Sequence, residues 1–349
     1  MNAYVDDLGG GDVSYQWYWS DDDEATPETD TLISGATAKT YTPTTRGISG
    51  TRYYYCVATN TYELVKTAET VSSTAAITVE SIKVYTPADL LEVATNQNAG
   101  NSNTYAGCTI ELMCDIDLSS NSDTANWPSI GNNMSRAFCG TFAGNGHTIS
   151  GYHQELSQGY GGLLGYIGSG AVVQDVTVAG TASYGLTYSN DRLGGVVGYA
   201  MADASASSSI IIKNICADVD MELTGNANTS HSVGGVVGAT TGYNDGTAHV
   251  TIDGCCSKGS ILSSLIDSPS WFCVGGIVGR VQQAGGTTLS NCYNAGDLTA
   301  SGMLGGIVGC AQNAATSFTN CYNSGKITPL VLTGTYVGTG AICGSNTDY

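Results

Sequence analysis

Four histidines are the first residues to test for chemistry in this sequence, and none is spaced for catalysis. His147 stands in Gly-Asn-Gly-His-Thr-Ile (144–149), where the small residues make a turn that the imidazole braces. His153, His231 and His249 lie in separate segments, without a serine, cysteine or carboxylate spaced to form a nucleophile–base–acid set. Paired carboxylates are the route to glycoside chemistry. The aspartates from residue 175 onward are scattered, and only Asp218 and Asp220, flanking Val219, share one strand face. Arg192 and Arg280 each adjoin a glycine-rich phrase, far apart in sequence. Asp21, Asp22, Asp23 and Glu24 cluster oxygens in a way that suits Ca2+, yet lack the spacing of an EF-hand; a solvated acidic loop is the plainer reading.

Whatever chemistry exists must be positioned by a repeat. The phrase GGLLG begins at Gly161, GGVVG at Gly194 and Gly234, GGIVG at Gly275 and Gly305, and a worn GAICG at Gly340. A period of some tens of residues marks an array rather than one globular core. A second phrase follows each of the first five: VVQDV (172–176), IIKNI (211–215), TIDGC (251–255), TLSNC (288–292) and SFTNC (317–321). In register these give an apolar column, Val173, Ile212, Ile252, Leu289, Phe318. Three residues on stands a second column, Val176, Ile215, Cys255, Cys292, Cys321. An odd offset cannot keep two side chains on one face of a flat strand, so the chain must turn a corner between them. The corner residue is Asp175, Asn214, Gly254, Asn291 or Asn320, types that tolerate a left-handed backbone. Ile261, Leu298 and Ile327 add a third column. Short β-runs, corners and a fixed period predict a coil of parallel strands.

The GGxVG…NCYxxG pattern, best in 275–299 and 305–328, resembles the GLUG motif of large bacterial surface proteins. That resemblance implies a right-handed parallel β-helix. The segments CTIELMCDIDLSSN (108–121), WPSIG (127–131) and FCGTFAGNGHTISGY (138–152) resemble the first coils that precede such repeats. In 108–121 the alternation Ile110, Leu112, Cys114, Ile116, Leu118 is one strand, or two strands split at a bend. Before them, 84–100 predicts a short amphipathic helix that closes the solenoid's end. Thr86 is its cap, Pro87 suits the first turn, Asp89 completes a capping box, and Leu90, Leu91 and Val93 are its apolar side.

Residues 1–82 read as short strands at the spacing of a β-sandwich. Trp17 on one strand, Cys56 on another and Tyr54 two residues before that cysteine resemble an immunoglobulin-like domain. It departs from the antibody pattern because Cys56 has no upstream partner: the partner's strand is expected around Asn2–Val5 and the strand before it is missing, so either the domain is cut, the favoured reading, with Met1 an artificial start, or its first strand is not needed.

Composition narrows the function. With 30 acidic and 11 basic residues the net charge is −19, which argues against nucleic acid and anionic membrane surfaces. Only 12% of residues are charged, and hydroxyl and amide side chains dominate, as suits an extracellular β-protein. The acidic first ten residues do not read as a signal peptide, and no run of 18 apolar residues exists. The twelve cysteines show no disulfide framework. Cys255, Cys292 and Cys321 are expected as buried free thiols in place of Val or Ile. Cys255-Cys256 is the one close pair, without a histidine beside it to suggest metal.

The sequence thus predicts an all-β chain: an immunoglobulin-like sandwich over 1–82, and a GLUG-type β-helix over 83–349 with cap and first coils in 83–152 and repeats in 153–349. Function is expected to be that of a non-catalytic extracellular adhesin or stalk of the bacterial cell surface, monomeric, meeting a host or cell-surface glycan or protein through loops 199–209, 240–249 and 262–273. The expected contacts are Tyr243, Trp271 and Phe272, with Tyr293 and Tyr322 as either a ligand surface or a stabilising ladder. No cofactor is expected beyond weak Ca2+ at Asp21–Glu24. The alternatives are a polysaccharide-processing β-helix enzyme, recognisable by two or more carboxylates and a basic residue meeting in one groove, and a passive spacer.

Overall fold

The structure, a computed structural model, describes residues 1, 11–43, 50–62, 66–79, 81–186, 190–203, 209–225, 230–242, 248–265, 271–282, 286–312, 316–331 and 337–347. The chain divides into two compact units, Met1–Ile82 and Lys83–Tyr349.

The first unit is built on one antiparallel sheet, in which Asp12–Ser20 and Gly50–Tyr62 pair along nine residues. Thr31–Leu32, Lys66–Val71 and Ala75–Val79 complete it. A second sheet of a sandwich is not among the described residues. Trp17 and Cys56 are direct partners across the central pair, buried with Tyr15, Ile33, Ala36 and Tyr41 around them. The Trp17 indole N–H is satisfied by the Ala38 carbonyl at 2.9 Å, as a buried indole requires. In the acidic loop, Asp22 accepts from Ser20 and from the Glu24 amide, and Asp23 accepts from Thr74, so both carboxylates serve local structure. Among the described residues no three His, Cys, Asp or Glu gather as a metal site.

The second unit is a parallel β-helix. Its broad sheet runs rung by rung through Thr109–Leu112, Thr141–Ala143, Val172–Leu186, Ile210–Gly225, Val250–Asp253, Thr287–Ser290 and Thr316–Thr319, all parallel. Two narrower six-stranded sheets flank each glycine phrase. The approach sheet precedes it, with strands Tyr160–Gly161, Asp191–Gly194, His231–Gly234, Phe272–Gly275, Met303–Gly305 and Gly338–Gly340. The exit sheet follows it, with strands Leu164–Ile167, Val197–Met201, Val237–Thr241, Val278–Gln282, Val308–Gln312 and Cys343–Thr347. Parallel strands buried on both faces need near-continuous apolar or small residues, and the approach strands His231–Gly234 and Phe272–Gly275 are buried at every position.

The corners fall where the spacing requires. Asp175, Asn214, Gly254, Asn291 and Asn320 hold φ between 52° and 62°, and Val173, Ile212, Ile252, Leu289 and Val176, Ile215, Cys255, Cys292 are all buried. Asn145, at φ 53°, extends the corner one coil earlier, inside the GNGH turn. Corner side chains also ladder between rungs: Asn214 donates to Asp175 at 2.7 Å, Asn291 to Asp253 at 2.8 Å, and Asn320 to Asn291 at 3.2 Å. An Asn291→Val variant should therefore lose about 2 kcal/mol, from a β-branched residue in the left-handed region plus the lost ladder bond, while Asn291→Gly loses roughly 0.5 kcal/mol. Urea denaturation of the two variants checks this.

Each glycine of the phrase has a different reason. A Cβ on Gly276 or Gly306, the second position, would lie 2.4 or 2.5 Å from Asn294 or Asn323 of the NCYN phrase in the same or a neighbouring turn. The two phrases occur together because the asparagine packs onto that glycine.

The helix Pro87–Ala99 forms as read: the Thr86 side chain accepts from the Asp89 amide, and Asp89 accepts from the Thr86 amide. Leu90, Val93 and Ala94 are buried. Gln97 donates to the Arg136 and Ala137 carbonyls, and Asn98 donates to that of Ser129 while accepting from Gly131. The helix is thereby tied to the first coil. Residues 108–121 split at a bend, into Thr109–Leu112 and Ile116–Asp117.

The cysteine reading needs one correction. Cys216 and Cys256, opposite each other on neighbouring rungs with Cα atoms 4.7 Å apart, are joined by a disulfide. Cys255, Cys292 and Cys321 are free, the first two buried as expected and Cys321 only half-buried, each thiol donating to the carbonyl two residues before it. Burial pushes the Cys56, Cys108, Cys255 and Cys273 thiols above their ordinary value of 9.0. A raised folded-state pKa means stability is complete below the unfolded value and falls as pH rises through the folded one. The melting temperature should therefore hold up to about pH 9 and drop progressively above it; a constant value from pH 8 to 11 would contradict this.

Candidate functional site

Two surfaces bring polar chemistry together, and both are made by stacking residues that lie tens of positions apart in sequence.

The first is a groove of about 330 Å3 on the broad sheet, where Thr148–Leu156, Val172–Leu186, Ile210–Gly225 and Ile261–Ser263 lie side by side. Outward-facing residues alternate along each strand. One row is His153, Thr181, Asp220, Ser260; the next is Glu155, Ser183, Glu222, Leu262. His153 Nδ1 is 3.0 Å from Thr181 Oγ1, and its Nε2 is 3.4 Å from Glu155 Oε1. Asp220 Oδ1 accepts from both the amide and the hydroxyl of Ser260, at 2.8 Å each. Asp218, Asp220 and Glu222 all face solvent on one strand. The sequence showed the first two; Glu222 continues the same alternation. Asp220 and Glu222 do meet in one groove with His153, but no lysine or arginine lines it.

The second is the packed seam where approach strands lie against the exit strands of the next rung. The approach column is Tyr160, Arg192, Ser232, Cys273, Met303. The exit column is Tyr166, Tyr199, Ala239, Arg280, Cys310. Several contacts join them: Tyr160 stacks on Tyr199 with centroids 5.9 Å apart, Arg192 lies over the Tyr199 ring at 5.7 Å, and Cys273 packs with Met303 and Cys310. Tyr166 meets both tyrosines edge-on. One end of the seam is thus a cluster of three tyrosines, and further along it is filled by sulfur side chains.

Between lie the two arginines. Arg192 is 6% exposed and Arg280 7%. No carboxylate among the described residues pairs with either. Arg192 donates to the Asp191 carbonyl at 3.2 Å and more loosely to Asn190; Arg280 donates to Gln312 and lies over Trp271 at 4.7 Å. The Nε of each is buried without a partner, and so is the Ser232 hydroxyl. Burial first, and the nearby charge of Arg280 as well, hold the Arg192 pKa below its ordinary value. At the edge of the seam, the Tyr199 hydroxyl meets Thr241 at 2.7 Å and Gln282 at 3.2 Å.

The expected ligand contacts fare differently. Trp271 stands at the edge of the seam, half-buried, with φ 62°, a left-handed backbone that a bulky residue rarely adopts. Phe272 is a correction: it is fully buried, turned inward against His231, because it alternates with Trp271 along the strand and so takes the opposite side. Tyr243 lies outside the described residues. Tyr293 and Tyr322 stack face to face at 5.3 Å, with Tyr322 56% exposed, and their neighbours Asn294 and Asn323 hydrogen-bond at 2.8 Å beneath them. His147 braces its turn through Asp115, at 3.2 Å. His231 is wholly buried, 3.1 Å from Asp191, a pairing that sequence spacing did not suggest.

Residues 300–328 match the GLUG motif, and residues 5–81 match a domain of unknown function, DUF8696. The chain thus carries a GLUG motif on its parallel β-helix. Halomucin, from Haloquadratum walsbyi, is 32% identical over 146 residues, an alignment that spans 34% of this chain and 2% of that relative. A solved structure from Bacteroides ovatus, provisionally described as an immunoglobulin A1 protease, is similar over 78% of this chain and 84% of its own, with a TM-score of 0.49 and 19% identity.

Proposed function

We propose that this chain is a non-catalytic binding module displayed outside a bacterial cell, with a rigid β-helix presenting a ligand-binding surface. The observation that carries the reading is the cluster of groups where the approach and exit sheets pack: two buried arginines with no carboxylate partner among the described residues, beside the half-buried rings of Tyr199 and Trp271. Aromatic rings and arginine are the groups that dominate recognition surfaces. The surface-protein character of GLUG chains, a surface rich in hydroxyl and amide groups, and a net charge of −19 agree with an extracellular, monomeric module. In this reading the first unit is an immunoglobulin-like spacer, and the ligand is a glycan or protein of a host or neighbouring cell.

A second reading, a polysaccharide-processing enzyme, draws on the meeting of His153, Asp220 and Glu222 in the broad groove. Against it, Asp220 is already held by two donors from Ser260, and no base of the lysine or arginine type lines the groove.

A screen of immobilised glycans and matrix proteins, with and without Ca2+, tests the proposal. Binding that a Trp271→Ala variant loses supports it. Silence across the screen would favour a passive spacer.

A further inference from the structure

The broad sheet carries an open surface that is independent of the seam on which the binding reading rests. Its outward residues form a trough along the strands. The floor is the strand Val172–Leu186, whose outward positions Thr181, Ser183 and Gly185 are small. One wall is His153 and Glu155 on the preceding rung, and the other is Asp220 and Glu222 on the following one. Two hollows, of about 330 and 480 Å3, meet at Ser183. With strands about 4.8 Å apart and about 3.3 Å per residue, the walls stand about 10 Å apart and the rows from His153 to Ser157 span about 13 Å. A linear polymer of pyranose rings lying along the strands fits that space.

Gly185 points to an occupant. A glycine inside a strand weakens it, and it ordinarily marks a bulge, another backbone close by, or the approach of a ligand. The register runs through Tyr184, Gly185 and Leu186 without a bulge. A Cβ at Gly185 would meet nothing nearer than 3.9 Å, so no neighbouring backbone demands the glycine either. What its missing side chain does is keep the trough floor open.

The charge of the trough selects the occupant. Glu155, Asp220 and Glu222 bring three carboxylates, and among the described residues no lysine or arginine lines either hollow. One row outside, Lys258 comes level with Asp218, so the cations stop at the trough's edge. His153 is fixed between Thr181 and Glu155, and Asp220 by Ser260, which sets the walls in place. Carboxylates accept from an ammonium group more strongly than from a neutral hydroxyl, while Thr181, Ser183 and Ser260 supply hydroxyls for the rest of a sugar ring.

We propose that the trough binds a glycan bearing free amino groups, a run of deacetylated hexosamine residues. Its ring lies over Ser183 and Gly185, and its ammonium groups meet Glu155 and Glu222. The net charge of −19 draws such a polycation in.

Calorimetric titration of the full chain with glucosamine oligomers at about pH 6, where the carboxylates stay ionised, tests this, with fully N-acetylated oligomers, spermine and polylysine as comparators. The amine form should bind at least tenfold more tightly than the N-acetylated form. Glu155→Gln and Glu222→Gln should each weaken it at least fivefold, and Gly185→Gln, which fills the floor, by as much. Glu155 and Glu222 are exposed, so these variants should melt as the parent does. Asp218→Asn removes the same charge outside the trough and should bind as the parent does. Equal binding of amine and N-acetylated forms, or binding of the amine form that neither glutamate variant weakens, would overturn the proposal. Tighter binding of spermine or polylysine than of the glucosamine oligomers would overturn the sugar. Failure of every probe, while the glycan and protein screen still shows binding that Trp271→Ala loses, would overturn this inference alone.

Discussion

Replacing Gly238 by alanine is expected to cost about 3 kcal/mol of stability, the upper end of what overpacking imposes. The added Cβ would lie 2.4 Å from the Leu193 amide nitrogen, 2.5 Å from the Gly198 carbonyl oxygen and 2.8 Å from the Arg192 carbonyl carbon. All three are backbone atoms, so no side chain can rotate away. Relief requires parting the approach and exit sheets, which break contacts along the whole stack. The last glycine of the next rung, Gly279, faces the same arrangement, with the Val233 amide and the Gly238 carbonyl at 2.5 Å. The third glycine of each phrase is thus the point where one rung's exit strand abuts the preceding rung's approach strand. Urea denaturation measures the loss. Gly185→Ala is the matched control: its nearest contacts are at 3.9 Å, and it should change stability by less than about 0.5 kcal/mol.

A loss of about 4 kcal/mol is expected when the Cys216–Cys256 disulfide is removed, since the bond closes a loop of 40 residues and the chain-entropy model gives that value for such a loop. Native-state contacts change little, because Ile212, Ile215 and Ile252 around it stay buried whether or not the bond is made. Cys56, Cys108, Cys255, Cys292 and Cys321 are free thiols, so a reductant leaves them unchanged. Reduction and the double variant Cys216→Ala/Cys256→Ala should therefore shift the denaturation midpoint by similar amounts. If neither shifts it, the two thiols are not bonded in solution.

The fold was legible because its rules are local. An odd offset between inward columns demanded a corner, and the corner residues Asp175, Asn214, Asn291 and Asn320 tolerate the backbone that corners need. Thr86 and Asp89 spelled out a capping box within four residues. The sites were less legible, because they depend on which residues of different rungs stack. Arg192 and Arg280 were visible beside their glycine phrases, but only the pairing Arg192–Ser232–Cys273 beside Ala239–Arg280 places them near each other. Glu155 and Glu222 joined His153 and Asp220 for the same reason. The Cys216–Cys256 bond is not legible in the inward cysteine column, because these two sit one residue on, directly opposite across a rung. Phe272 shows the period-two rule in the other direction: its neighbour Trp271 reaches the edge of the seam, so Phe272 must turn inward.

The proposal that this β-helix binds a surface glycan or protein without cutting it is tested most directly by incubating the full chain with the best-bound polymer of the screen and following its length by size-exclusion chromatography and mass spectrometry of the products. The account predicts an unchanged length distribution after prolonged incubation, with the polymer recovered intact from the protein. Shortened chains, formed by the parent and not by a Glu222→Gln variant, would contradict it and move the active chemistry to the groove of His153, Asp220 and Glu222.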